Sequence, residues 1–252
     1  MTTLTTEAPP LFALLAHALR WQLVSTLADS DFNVQELQAA VRSSQNLVSY
    51  HLRLLRDGGL VRETQSIADG RQTYYSLDLP RLQTALFSLG DSLHPALAPA
   101  SEPAAAPSRR LRVLFLCTHN SARSQMAEGL MRAHGGEWAE VFSAGTQLSR
   151  VHPLAIAAMD QLKIDIRGHS SKLVDQYLAE TFDYVITVCD RAKESCPILP
   201  GAPKQIHWSF PDPSAVEGSQ TQKLQAFSQT ALGLSQRIKH LLLLIQRDAG
   251  QA

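Results

Sequence analysis

Cys117 opens the run Cys117-Thr118-His119-Asn120-Ser121-Ala122-Arg123-Ser124, a cysteine followed by an arginine and a serine in a short polar loop. Residues of these types at that spacing suit a tetrahedral oxyanion. The thiolate attacks the central atom while the planar fork of Arg123 holds two of the oxygens. Thr118, His119, Asn120, Ser121 and Ala122 supply backbone N–H groups that turn inward on the anion, and Ser124 is placed to donate its hydroxyl to the Cys117 sulfur. Before the loop, Arg112-Val113-Leu114-Phe115-Leu116 reads as a buried parallel strand. After it, Met126, Ala127, Leu130 and Met131 mark the inner face of a helix whose N-terminus faces the same anion.

The chain has three cysteines. Tyr184-Val185-Ile186-Thr187-Val188 is a second apolar strand, and it ends at Cys189. In an open parallel α/β sheet, ligands bind beyond the carboxyl ends of the strands, so Cys117 and Cys189 can meet there. Asp190 to Ser195 forms a short helix or a loop before Cys196. Three thiols in one site permit a relay. A structural zinc site would need closely spaced ligand pairs that Cys189 and Cys196 lack. A structural disulfide suits a secreted protein, and no secretory signal is recognisable.

From 111 to about 247 the chain resembles the thioredoxin-linked arsenate reductases, a branch of the low-molecular-weight protein tyrosine phosphatase fold. The resemblance is carried by Cys117 to Gly129, Ser143-Ala144-Gly145, Cys189, Cys196-Pro197-Ile198-Leu199-Pro200, His207-Trp208 and Asp212-Pro213. It implies that Cys117 attacks arsenate, that Arg123 and the loop amides hold the charge, and that Asp212 protonates the leaving oxygen. Cys189 would then attack Cys117 to release arsenite, and Cys196 would carry the disulfide outward to thioredoxin. Asp-Pro also begins turns, so the role of Asp212 rests mainly on the resemblance. A tyrosine phosphatase of this fold would usually lack the Cys189 and Cys196 pair and carry Asp-Pro-Tyr where this chain has Asp212-Pro213-Ser214.

Several relatives hold potassium beside the nucleophile loop with residues corresponding to Asn120, Glu128 and Ser143, plus an aspartate aligned with Lys172. A lysine cannot ligate a cation. Lys172 is therefore expected to pair with Glu128 and to make activity indifferent to potassium, with no tightly bound cofactor and no metal. His119 stands where relatives often carry glycine.

The N-terminal third has no cysteine. Leu11 to Leu27 reads as one apolar helix, too short and too interrupted for a membrane span and without the features of a signal peptide. Asn33-Val34-Gln35-Glu36 is a capping-box start, Arg42-Ser43-Ser44 a turn, and Gln45 to Arg56 a third helix. Leu47, Val48, His51, Leu52 and Leu55 are expected inside, leaving Gln45, Asn46, Ser49, Tyr50 and Arg53 for base edges and phosphates. Val61 to Ile67 and Gln72 to Leu77 alternate as strands around Ala68-Asp69-Gly70, with Arg71 at the flank of the turn. This order resembles a winged helix of the ArsR type, most specifically in Val48 to Leu55 and Gly58-Gly59-Leu60-Val61. The resemblance implies a DNA operator as partner and a homodimer, formed through Leu11 to Leu27 and Leu82 to Leu93.

Seven arginines and no lysine against nine acids over 1–94 leave this part slightly acidic, unlike the usual footprint of a nucleic-acid binder. Arg42, Arg53, Arg56, Arg62 and Arg71 nevertheless outnumber Asp57, Glu63 and Asp69 locally. Repressors of this family commonly sense through thiols or acid–histidine clusters, yet Gln35 to Val41 has no thiol and the last helix offers only Asp91 and His94. The C-terminal cysteines are then the candidate sensor.

Four prolines among alanines and serines between His94 and Arg110 mark a semi-extended tether. The 252 residues thus divide into a mainly α winged helix-turn-helix at 1–94, a linker at 95–110 and an α/β domain at 111–252. The second domain orders as strand, helix, strand, helix, strand, strand, helix, a doubly wound parallel sheet of four strands closed by Leu224 to Ile245. The expected function is a cytoplasmic DNA-binding regulator fused to a thioredoxin-recycled arsenate reductase. The alternative is a regulator fused to a protein phosphatase or to a non-catalytic redox or arsenic sensor.

Overall fold

The computed structural model describes residues 10–66, 68, 70–93, 109–194, 199–201 and 203–249. Cys196 and its neighbours 195–198, the hairpin residues Ile67 and Asp69, His94 and the linker up to Ser108 lie outside the described residues. The chain divides into two compact units, Met1–Pro103 and Ala104–Ala252.

In the first unit, α1 (Pro10–Leu15) and α2 (Ala18–Thr26) replace the single helix expected over 11–27. The break is local chemistry: His17 is extended, and its Nδ1 accepts the Leu19 N–H, so it caps a new helix where the old one would have continued. A two-residue strand β1 (Phe32–Asn33) leads into α3 (Val34–Val41). Asn33 and Glu36 form the expected capping box, and Arg42 closes α3 in the left-handed region. Helix α4 (Gln45–Asp57) buries Val48, His51, Leu52 and Leu55. Leu47, also expected inside, is exposed. It lies at the edge of the arc swept by 48, 51, 52 and 55 and so turns out of the core. The wing is β2 (Val61–Gln65) antiparallel to β3 (Thr73–Leu77), and β1 adds a third strand on the far side of β3. Helix α5 (Leu79–Leu93) closes the unit.

The second unit runs β4 (Leu111–Cys117), α6 (Arg123–Gly135), β5 (Ala139–Gly145), α7 (Pro153–Gln161), β6 (Tyr184–Thr187), α8 (Asp190–Glu194), β7 (Lys204–His207) and α9 (Gln220–Ala249). Its four strands are all parallel in the order β5-β4-β6-β7. The sheet is central and buried on both faces. Val113, Phe115, Ile186 and Ile206 meet α6, α7 and α9 on one side, and Leu114, Leu116 and Val185 meet Val174, Tyr177 and Phe182 on the other. This two-sided burial explains the continuous apolar runs of β4 and β6. Among the described residues, no helix is long and apolar enough to cross a membrane.

The loop that follows β4 closes tightly on the end of β5. Gly145 pairs with Cys117, and a Cβ on it would stand 2.7 Å from both Asn120 N and Thr118 O. Those atoms are backbone and cannot step aside. Gly145→Ala is therefore expected to destabilise the domain by about 1–3 kcal/mol, as overpacking does, and to weaken phosphate binding at the loop. Urea unfolding and phosphate titration check this; a variant with unchanged midpoint and affinity would contradict it.

Candidate functional site

Cys117 lies at the end of β4 and is buried, and the loop that follows wraps back on its sulfur. Asn120 N donates to Cys117 Sγ at 3.2 Å, and Ser124 Oγ lies 3.0 Å from the same sulfur. Asn120 holds a left-handed conformation, φ 47°, which a short polar side chain tolerates when it bonds locally. Its amide nitrogen donates to Ser124 Oγ (2.9 Å) and Ser143 Oγ (2.8 Å), and its Oδ1 accepts from Gln125 and from Lys172 N. Because Ser124 Oγ accepts from Asn120, its own proton is left to point at Cys117.

Further out, Gln125 Nε2 donates to Asn120 and Ser170 O, so its Oε1 must accept from His169 Nδ1 at 3.0 Å. Burial pushes the His169 imidazole below its ordinary pKa, which suits a neutral ring donating from Nδ1. Glu128 is buried, and its carboxylate accepts from Ser143 Oγ at 2.5 Å. Arg132 at 2.6 Å and Lys172 at 3.4 Å balance its charge. Among the described residues, no group of three His, Cys, Asp or Glu side chains stands ready to hold a metal ion.

Arg123 begins α6, which no side chain caps, so the leading amides of that helix face the loop. The guanidinium is buried and engaged: Nη1 donates to Phe210 O at 2.8 Å and Nη2 to Asp212 at 3.0 Å. Burial pushes the Asp212 carboxyl up, but Arg123, the two hydrogen bonds from Ser214 and the nearby His119 outweigh it, leaving the group below the usual carboxylate range. Cys189 follows β6 and is buried, with its sulfur 3.4 Å from Thr118 Oγ1 and 3.4 Å from Ala192 N. Burial, with Cys117 adding to it, holds its thiol above the ordinary value despite the pull of Arg123. Thr118, Ser121 and Ala122 complete the loop, while His119 is exposed and uses its carbonyl to receive Ser171 Oγ. An open cleft of about 590 Å³ lies beside it, lined in part by Thr118, His119, Gln147 and Arg191.

Residues 112–251, more than half the chain, match the family model described as low molecular weight phosphotyrosine protein phosphatase. The chain belongs to that family. It is 41% identical over 128 residues to an arsenate reductase of Halalkalibacterium halodurans, covering 50% of this chain and 91% of that protein. It is 43% identical over 121 residues to arsenate reductase 2 of Staphylococcus epidermidis, covering 48% and 92%. A solved structure described as an arsenate reductase in the phosphate binding state shares 32% identity over 54% of this chain and 98% of that one, with a TM-score of 0.45. Residues 18–63 match the model for bacterial regulatory proteins of the arsR family. An ArsR-family helix-turn-helix domain is thus joined to an arsenate-reductase-like domain of phosphatase fold.

In the ArsR-family domain, Gln45, Asn46, Tyr50 and Arg53 are exposed along one side of α4, Ser49 is half-buried beside them, and Arg71 is exposed in the wing. Two of the arginines expected to make this surface basic are neutralised within the domain. Arg56 pairs with Glu63 and Asp57, and Arg62 with Asp78. Exposed pairs of this kind add little stability, but they offset two of the charges counted toward a basic surface.

In the phosphatase-fold domain, sequence reasoning missed Gln125 and His169 as supports of the loop, and Thr187, Asp190 and His207 around Cys189. Gln125 and Glu128 sit beside the apolar positions of α6 and look outward on a helical wheel. They are buried because β5, α7 and α9 enclose that helix.

An anion held by Arg123 would compete with Asp212 for the guanidinium. Asp212→Asn is expected to bind phosphate about tenfold tighter at neutral pH, a gain of ~1.4 kcal/mol, because the competing carboxylate charge is gone. The depressed carboxyl stabilises the fold above the usual carboxylate pKa, and that contribution is lost as pH falls through the lower folded value. The stability gap between wild type and Asp212→Asn should therefore close on acidification. Calorimetric titration and pH-dependent melting read both; equal phosphate affinity in the two proteins would contradict the competition.

Proposed function

We propose that the chain is a bifunctional regulator and enzyme: a DNA-binding winged helix over 1–94, a linker over 95–110 and an arsenate reductase over 111–252 that works with thioredoxin in the cytoplasm. The observation that carries the catalytic reading is the pair of buried sulfurs at the ends of adjacent strands β4 and β6, with the Thr118 hydroxyl against the second. A phosphate-ester hydrolase needs only the first thiol. The arrangement of Cys117, Arg123 and Asp212 also suits phosphatase chemistry, so residual ester hydrolysis is expected.

Arsenate draws Arg123 from Asp212, which lets the Asp212 carboxyl take up a proton. Cys117 attacks arsenic, an S–As bond forms, an As–O bond breaks, and the proton from Asp212 lets the oxygen leave as water. With Cys117 bound to arsenic, its charge no longer opposes ionisation of Cys189. Cys189 attacks the Cys117 sulfur, an S–S bond forms and the S–As bond breaks with its electron pair on arsenic. Arsenic leaves as arsenite, reduced from As(V) to As(III), and takes the Cys189 proton. Cys196 then attacks Cys189, freeing Cys117, and a thioredoxin dithiol reduces the Cys189–Cys196 disulfide. Ser124 orients and hydrogen-bonds the nucleophile, and the amides of Thr118 to Arg123 cradle the anion.

Lys172 acts beside Glu128 as the resident cation, in the part that potassium plays in relatives; the 3.4 Å contact supports it. With thioredoxin, thioredoxin reductase and NADPH, the protein should turn over arsenate repeatedly, at the same rate in sodium and in potassium buffers. Cys117→Ser, Cys189→Ser and Cys196→Ser should each stop cycling. Ester hydrolysis dependent on Cys117 alone, with no arsenate turnover, would favour the phosphatase reading, and strong potassium stimulation would remove the role given to Lys172.

For the regulator, Gln45, Asn46, Ser49, Tyr50 and Arg53 are the proposed base and phosphate contacts of α4, with Arg71 from the wing. Exposed Phe12, Trp21, Leu86 and Phe87 support a homodimer. Arg53→Ala should weaken binding to DNA from upstream of the protein's own coding sequence by about 1–3 kcal/mol. Fluorescence anisotropy reads the loss, and affinity equal to wild type would contradict the assignment.

A further inference from the structure

We propose that Thr187, His207 and Asp190 form a buried clamp that positions Cys189 for its attack on Cys117, a role that rests on the reductase reading above. His207 ends β7, in register with Thr187 of β6. Its Nδ1 lies 2.8 Å from Thr187 Oγ1 and its Nε2 lies 3.1 Å from Asp190 Oδ1. One imidazole thus holds the residue two before Cys189 and the residue just after it. All three side chains are buried, the Asp190 side chain being 2% exposed.

The hydrogen bonds have a consistent sense. A carboxylate only accepts, so Nε2 donates to Asp190, and in the neutral ring Nδ1 then accepts the Thr187 hydroxyl proton. The backbone is fastened at the same place. Val188 N donates to Leu116 O at 2.8 Å, on the strand that carries Cys117, and Trp208 N donates to Thr187 O at 2.9 Å. Beyond Cys189, Lys193 N returns to the Cys189 carbonyl at 3.2 Å and Ala192 N to its sulfur at 3.4 Å. The side-chain clamp thus sets where α8 begins, and that first turn sets where the sulfur points.

A buried acid–histidine pair is a poor source of net stability, because taking the carboxylate out of water offsets most of what its hydrogen bond to the ring returns. What such a pair supplies is a single geometry. Displacement of a sulfur requires the attacking thiol to lie in line with the bond that breaks, and misplacement by about 1 Å costs on the order of 100-fold. The hydrogen bonds described around Cys117 run through Asn120, Ser124, Ser143 and Gln125, none of them a member of the clamp. The two halves of the site are therefore separable by mutation.

Thr187→Val keeps shape and strand preference, and Asp190→Ala removes the carboxylate. Both leave the 208–212 segment untouched. Arsenite release is measured by rapid quench in a single turnover, without thioredoxin, beside hydrolysis of p-nitrophenyl phosphate by the same full-length proteins. The clamp predicts arsenite release slowed by about tenfold to 100-fold with ester hydrolysis retained, and substantial recovery in Asp190→Asn, whose Oδ1 still accepts from His207. Unchanged arsenite release, or equal loss of both activities, overturns the clamp while leaving the reductase reading in place. A wild-type protein that hydrolyses the ester but releases no arsenite overturns both.

Discussion

Asn120 is the residue on which the site depends. It occupies a left-handed conformation inside the protein, where the backbone strain and the burial of an amide would both be unfavourable if any of its groups lacked a partner. None does. Its N–H reaches the Cys117 sulfur, its carbonyl receives Gln125, its amide nitrogen serves two serines and its amide oxygen receives Gln125 and Lys172. Through those bonds one residue ties together Cys117, the start of α6, β5 and the segment around 170. The neighbouring Gly145 lets the loop approach that closely. The sense of the Ser124 hydroxyl toward Cys117 follows from the same arrangement.

Charge is balanced pair by pair around that loop. Glu128, buried behind it, is met by Arg132 and Lys172; Arg123, buried in front, is met by Asp212. Removing the partners of a buried charge such as Glu128 or Arg123 would strand it away from water, which is why these residues act as sets. The Arg123–Asp212 pair differs from the Glu128 set in that an oxyanion can replace one member. In the reaction proposed above, the oxyanion would supply the countercharge that the fold provides here, and the released carboxyl would carry a proton.

The loop itself was legible because its information is local: Cys117 to Ser124 lies in one stretch, bounded by a strand and a helix whose apolar patterns are plain. The Asn33–Glu36 capping box is local too, and so is the two-sided burial behind the continuous apolar runs of β4 and β6. What escaped reading depends on the third dimension. His17 breaks a helix by capping its successor, and β1 is too short to carry a pattern. Gln125 looks like a surface residue until neighbouring elements enclose it, and the Thr187–His207–Asp190 contact exists only through the register of β6 with β7. Arg56 and Arg62 add to a count of positive charge, yet the wing and the start of α5 pair them off.

The relay from Cys117 to Cys189 is the claim on which the enzymatic account stands. Its most direct test is to mix the fully reduced protein with arsenate and no reductant, then locate the cysteine bonds by peptide mass spectrometry while counting arsenite. The account predicts one arsenite per chain, one disulfide that includes Cys189, and in Cys196→Ser a trapped Cys117–Cys189 bond. Protein that remains fully reduced, or arsenite formed with Cys189 still a free thiol, would contradict it.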